Sequence, residues 1–381
     1  MTNPGLADSK MQTTPAAVPA ARELRVTPQT IINYTMDNAM ALSIILARPE
    51  TLGWFYEHYV QLYSLRLPRR PVSGFYDPVT DKELRGGEID TIGIHFAVMS
   101  GRTWFEECLV KRFFGDDPDE IVAFILTTIN RGFYLRLTLD EYYVPNKRSF
   151  GQRQWVHPTL IYGYDNDAQT ALGLGFDTRS FTKLTINYDD LRRAYESARR
   201  IALDDPSSPR ALVSLIRMRE PPRRYPFSVA RFARELHGYL SATIDSARKF
   251  YLTTFLPAHV EVDELMRFGA GVYEHFETGL RELLRGNACV NYVQMHALFE
   301  HKRFLSEAFK FVRSECEVKR GVAEAMEEFQ RVVQAFHSMR WKFIRYEHTK
   351  DAQLINEILE QLTVTRADER ELLNRIHEGL V

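Results

Sequence analysis

The stretch WVHPTLIYGYDNDAQTALGLGFD, residues 155–177, decides how the rest of the chain is read. HPTLIYGYD (157–165) and ALGLGFD (171–177) have the composition of strands, and Asp165, Asn166 and Asp167 between them are short polar residues that make turns. The spacing predicts an antiparallel hairpin. With the turn at 165–168, the first residue of one strand faces the last of the other, so His157 and Asp177, twenty residues apart, become cross-strand neighbours. An imidazole beside a carboxylate supplies two of the three parts of a nucleophile–base–orienter triad, because the carboxylate selects the tautomer and supports the imidazolium. A plainer reading, a strand-edge His bonded to a loop carbonyl, uses the same residues.

Working outward, FYLRLTLDEYYV (133–144) alternates like a strand, and FTKLTIN (181–187) adds another before a helix capped near Asn187 or Asp189. Upstream, Met40, Ile44 and Ile45, then Trp54, Phe55, Tyr59 and Leu62, recur at helical spacing and predict helix across 27–65. Pro49 followed by Glu50 suits a helix start. A Pro/Arg-rich loop runs to residue 87, and helices are expected over 88–115 and 118–131. Downstream, the Pro/Ser/Arg-rich segment 206–226 reads as a linker, although LVSLIRMR (212–219) has the makings of one more strand. Five long amphipathic segments follow, 228–253, 261–285, 290–315, 317–347 and 351–379. The fold class is therefore α+β, with a disordered tail over 1–26, a mixed domain over 27–205 and an all-α domain over 227–381.

Composition narrows the function. The 381 residues carry 49 Lys+Arg against 50 Asp+Glu, so no global field attracts nucleic acid or an anionic membrane. Every apolar run is broken by charge well short of the ~18 residues of a membrane span. Cys108, Cys289 and Cys316 are odd in number and widely spaced, as expected of reduced thiols in a cytoplasmic protein. HExxH, GxSxG, a Walker loop and a Rossmann glycine fingerprint are absent, and no Glu-x-x-His stands in the helical half to suggest a metal.

The run LTLDEYYVP, then His157, Gly163-Tyr164-Asp165 and Gly175-Phe176-Asp177, resembles the papain-like fold of double-glycine peptidases and of butirosin-type acyltransferase N-terminal domains. The whole chain also resembles proteins associated with nonribosomal peptide and polyketide assembly lines that join such a domain to a helical half with an LFEHKRF-like segment, here 298–304. The resemblance implies acyl or aminoacyl transfer, or release, acting on a thioester held by an acyl or peptidyl carrier protein. The phosphopantetheine then belongs to the partner, no cofactor is resident, and a small molecule is the acceptor. In that family a cysteine opens the first core helix, where the helix N-terminus favours thiolate; here INYTMDNAMALSII places Asp37 and Asn38 at the cap instead.

The expected site is accordingly His157 as general base and Asp177 as its orienter, with Asp37 and Asn38 as polar contacts across a cleft. Asp140, Tyr142, Tyr162 and Trp54 would line it. Ser43 is too deep in its helix, and Cys108, within WFEECLVKRF, reads as mid-helix. His296 and Glu300 share a helix face while His301 turns away. The basic runs REPPRRYP and YESARR read as solvated faces or as a docking surface for an acidic carrier. Without a thiol, a second reading is a catalytically silent accessory protein that binds a carrier or synthetase.

Overall fold

Period-two alternation builds the sheet that carries the His157 stretch. The computed structural model describes residues 19–67, 76–77, 82–83, 91–98, 104–110, 119–204, 213–219, 224–253, 265–287 and 290–381. In chain order the first elements are β1 (Ala21–Glu23), α1 (Met36–Ile45), α2 (Leu52–His58), β2 (Leu62–Leu67), β3 (Tyr76–Asp77), β4 (Lys82–Glu83), β5 (Thr91–Phe96), β6 (Phe105–Val110) and α3 (Asp119–Asn130). Then come β7 (Tyr134–Asp140), β8 (Val156–Asp165), β9 (Thr170–Phe176), β10 (Phe181–Asn187), α4 (Tyr188–Asp204) and β11 (Val213–Met218). The remainder is α5 (Val229–Leu240), α6 (Ser246–Thr253), β12 (Met266–Phe268), α7 (Val272–Leu284), α8 (Tyr292–Glu315), α9 (Arg320–Glu328), α10 (Gln330–Thr349) and α11 (Ala352–Leu380). The protein is mixed α+β with a helical C-terminal region.

The main sheet runs β10-β9-β8-β7-β11-β6, every neighbour antiparallel, and β1 adds beside β8. A bulge between Ile161 and Gly163 opens β8 to β1. A Cβ on Gly163 would meet the Arg22 carbonyl oxygen at 2.7 Å, so only glycine lets the extra strand approach. One sheet face buries Leu135, Leu137, Leu139 and Ile161 under α3 and α4. The opposite face, with Leu160, Tyr162 and Leu174, joins an apolar cluster that continues through α1, α2 and α8 to Ile376 of α11. Each fully buried Leu or Ile in it contributes ~1.5–3 kcal/mol, so this shared cluster is what holds the mixed and helical regions together.

Buried polar pins cross the same interface. The Glu57 carboxylate of α2 accepts from the Tyr225 hydroxyl (2.9 Å), from Arg231 (3.1 Å) and from the Ser228 amide. From the other side, Glu300 of α8 accepts from the amides of Asn33 and Tyr34, both at 2.9 Å, and the His301 ring bonds the Val60 carbonyl at 2.8 Å. A second sheet, β12-β2-β5, is likewise assembled from both parts of the chain.

Several expected helices are strands. The helix predicted over 27–65 is α1, a 3-10 turn (Pro49–Thr51), α2 and then strand β2. The 88–115 helix contains β5 and β6; TIGIHF buries Ile92, Ile94 and Phe96 in alternation, a two-residue period mistaken for a helical face. Cys108 consequently lies in a strand, and its side chain, like Cys289, falls outside the described residues. The 261–285 segment includes strand β12, 317–347 divides at Phe329, and 228–253 divides at Ala242, which takes φ 56°. Residues 1–18 of the predicted tail lie outside the described residues, but 21–23 form β1. The predicted linker holds β11, seated inside the main sheet between β7 and β6, whereas 205–212 and 220–223 lie outside the described residues.

Candidate active site

The site begins where β7 ends. Asp140 is fully buried, and its carboxylate accepts from the amides of Tyr142 (3.1 Å) and Trp155 (2.9 Å) and from the Ser197 hydroxyl of α4 (2.7 Å). That closes the loop from 141 to 155 onto itself and aims the next residue, Glu141, inward. The loop turns at Asn146 and Gly151, both left-handed at φ 66° and 65°, a conformation Asn tolerates and Gly adopts freely. Lys147 is thereby carried back under the sheet end, where its ammonium meets the Glu141 carboxylate at 3.0 Å. Gly175 makes room for it, since a Cβ there would stand 2.9 Å from the Lys147 nitrogen.

His157 lies directly opposite Leu139 in the β7–β8 ladder. Its buried Nδ1 is 3.3 Å from the same Glu141 oxygen, without the alignment of a hydrogen bond, while a third of the side chain is exposed. With Nδ1 turned to a carboxylate, Nε2 is left as the basic nitrogen at the open edge of the ring. Burial pushes the Glu141 carboxyl up, but the imidazole of His157 and the ammonium of Lys147 outweigh it and hold it below its ordinary value. Burial wins at Lys147, lowering the ammonium despite Glu141.

Asp177 does not fill the expected place. The β8–β9 register does carry toward His157, but β9 ends at Phe176. The Asp177 carboxylate bends instead onto the amides of Arg179 (2.6 Å) and Ser180 (2.7 Å), and the Ser180 amide leads the interactions that lower its pKa. No hydrogen bond or ion pair joins it to His157 among the described residues.

Asp37 and Asn38 also lie elsewhere. Thr35, not either of them, caps α1, and the Asn38 amide side chain donates to its hydroxyl at 2.9 Å. Asp37 pairs with Arg136 at 3.0 Å. Arg136 and Leu137 are adjacent on a strand and point to opposite faces, so α1 sits on the sheet face away from His157 and cannot face it across a cleft. Tyr162 is on the α1 face too, beneath the Lys183 ammonium at 5.3 Å. Trp54 is buried between His58 and Trp104, far into the shared core. Of the predicted residues, Tyr142 stays beside His157's loop, its ring edge-on to Tyr143 at 4.9 Å.

Glu141 and Lys147 were missed because the strand reading of 133–144 gave no reason to stop the alternation at Asp140. A signal existed in Asp140 followed by two tyrosines and Pro145, which favours a turn over continued ladder. The same loop presents Phe150 (47% exposed) and Trp155 (49%), with the Arg153 guanidinium 5.1 Å above the indole. Arg148 and Arg153 have no carboxylate partner among the described residues. No Ser, Thr or Cys bonds His157 among the described residues, so the arrangement offers a base and its orienter without an attached nucleophile. Groups of three or more metal-ligating side chains are also lacking among the described residues.

A second cluster lies in the helical region. Lys302 is entirely buried, and its ammonium reaches the Glu369 carboxylate at 2.6 Å, the Tyr239 hydroxyl at 2.7 Å and His301 Nδ1 at 2.9 Å. Glu300 is pushed by burial to about 8, against the two amides it accepts from, and stands 3.3 Å from His296. No helix is long and apolar enough to cross a membrane among the described residues. Neither a protein-family model nor a characterised protein sequence matches this chain.

Proposed function

We propose that the protein receives an acyl or peptidyl carrier protein at the 141–155 loop and that His157, oriented by Glu141, acts as general base in acyl or aminoacyl transfer from the carrier's thioester, in cytoplasmic natural-product biosynthesis. The observation that carries this reading is an imidazole with a third of its side chain exposed beside the Glu141 carboxylate it shares with Lys147, at the end of a loop that presents Phe150, Trp155 and two guanidinium groups, Arg148 and Arg153, without a carboxylate partner among the described residues. Arg, Trp and Phe at such a rim suit an acidic carrier surface. His157 Nε2 takes the proton from the acceptor amine or hydroxyl as its heteroatom attacks the thioester carbon; collapse expels the phosphopantetheine sulfur, which recovers that proton as a thiol.

The papain-like reading of residues 27–205 rests on the sequence resemblance and on the antiparallel β7–β10 meander. Because α1 lies on the other sheet face, the chemistry proposed is direct transfer without an acyl-enzyme. His157→Ala should abolish turnover of an aminoacyl-loaded carrier followed by intact mass; wild-type turnover in that variant refutes the assignment. The accessory reading is favoured by the lack, among the described residues, of a nucleophile bonded to His157. Unchanged carrier cargo together with co-elution of carrier and protein would support it.

A further inference from the structure

One carboxylate oxygen faces two basic groups at the end of the main sheet. Glu141 Oε1 stands 3.0 Å from the Lys147 ammonium and 3.3 Å from His157 Nδ1. The backbone puts Lys147 there. The left-handed turn at Asn146 (φ 66°) carries it beneath the sheet end, and Gly175, which lacks a Cβ, leaves the ammonium its room. Only 1% of the Lys147 side chain is exposed, against 33% of His157, so the cation is a fixed part of the site and not a surface group that swings away.

Charge balance then decides what His157 can do. A carboxylate alone beside an imidazole orients the ring, but it also favours the imidazolium, which has no lone pair left on Nε2 and cannot act as a base. With an ammonium on the same oxygen, the carboxylate's charge is already answered, and a second cation is opposed by the first. The other charged groups nearby have their own partners. Asp140, ending β7, is held by two amides and by Ser197 of α4, and Leu139 opposite His157 is apolar. Asp177, after β9, is turned onto the amides of Arg179 and Ser180 and joins Glu141 in attracting Lys147. Arg193 of α4 lies 5.9 Å over the Tyr143 ring. We propose that Lys147 is a positioning residue: by neutralising Glu141, it lets that carboxylate orient the imidazole of His157 while keeping the ring unprotonated and able to accept a proton. Its effect on turnover rests on the transfer reading above, whereas its effect on the protonation of the ring does not.

Long-range proton–nitrogen NMR spectra of the full chain at pH 8 test it by reading the ratio of charged to neutral His157, whose signals are assigned by their loss in His157→Gln. Lys147→Met keeps the length of the stem and removes the charge. It should raise the ratio about tenfold, because an uncompensated carboxylate within ~4–6 Å shifts a neighbouring base by about one pH unit or more. Lys147→Met/Glu141→Gln, lacking both charges, should fall back at least threefold from the single variant. Glu141→Gln alone, which leaves the ammonium unanswered, should lower the ratio at least threefold below the parent, and it decides the matter if Lys147→Met does not fold. Turnover of an aminoacyl-loaded carrier by Lys147→Met should be lost at pH 7 and recovered above pH 8.5, whereas a merely structural role lowers it equally at both. A ratio unchanged in Lys147→Met, a rise that the double variant retains, or no fall in Glu141→Gln each overturns the proposal. A parent that turns over no carrier refutes the transfer reading and leaves the ring protonation to decide the role of Lys147.

Discussion

Glu369→Gln is the sharpest probe of the helical core. The substitution keeps the shape and an oxygen for the Lys302 ammonium, and its amide group can donate to the Tyr273 hydroxyl, so the hydrogen bonds survive while the charge is lost. What remains is an ammonium with no exposed surface, ringed by Tyr239, Tyr273 and Phe336 at 4.9–5.3 Å and lacking its counter-charge. Breaking a buried pair on one side costs ~3–5 kcal/mol, whereas replacing both members with apolar residues is often neutral. Lys302→Met/Glu369→Met should therefore recover most of what Glu369→Gln loses. The pH dependence has a definite sign. Burial already depresses Lys302 in the folded state against the pull of Glu369, and losing that carboxylate depresses it further. The unfolded chain then binds the proton more tightly, so stability rises with pH up to the ordinary lysine value, ~10.4, and the deficit of the variant shrinks along that path. Urea unfolding followed by circular dichroism at pH 7 and pH 9.5 measures both effects. A Glu369→Gln variant within ~1 kcal/mol of the parent at pH 7, or a double variant no more stable than the single, refutes the argument.

Two further outcomes follow from the other buried charges. Gly175→Val should force the Lys147 nitrogen and Leu184, which a Cβ would approach to 2.9 and 3.1 Å, away from their places, lowering stability by ~1–3 kcal/mol; urea midpoints unchanged from the parent would contradict the close approach. Glu300, raised by burial from 4.5 to about 8, contributes stability that is complete below pH 4.5 and is lost as pH climbs through 8. Glu300→Gln cannot titrate, so the parent's advantage over it should narrow by on the order of 1–4 kcal/mol between pH 5 and pH 8.5 in urea unfolding; an advantage that stays constant sinks the account.

Much of the sheet was legible because its strands declare themselves locally. Alternation in FYLRLTL and the Asp-Asn-Asp turn are properties of neighbouring residues, and β7, β8, β9 and β10 form with the hairpin they imply. The His157 position was legible for the same reason. Its partner was not, since one residue's difference in where a strand ends turns a carboxylate from the ladder into a turn, as at Asp177, and another into the site, as at Glu141. The TIGIHF and FEECLV segments were misread because a short apolar run satisfies a helical period as well as a strand period over six residues.

The chain by itself determined its class, α+β with helices toward the C-terminus, and the local elements whose signals lie within a few residues. Tertiary structure alone decided which distant groups meet. Glu300 pins an amide 267 residues away, Lys302 finds Glu369 on another helix, and β11 enters the sheet from within what reads as a linker. The reason is physical: periodicity records which face of an element is apolar, but a buried charge is stable only beside a particular partner, and that partner is set by how the faces come together.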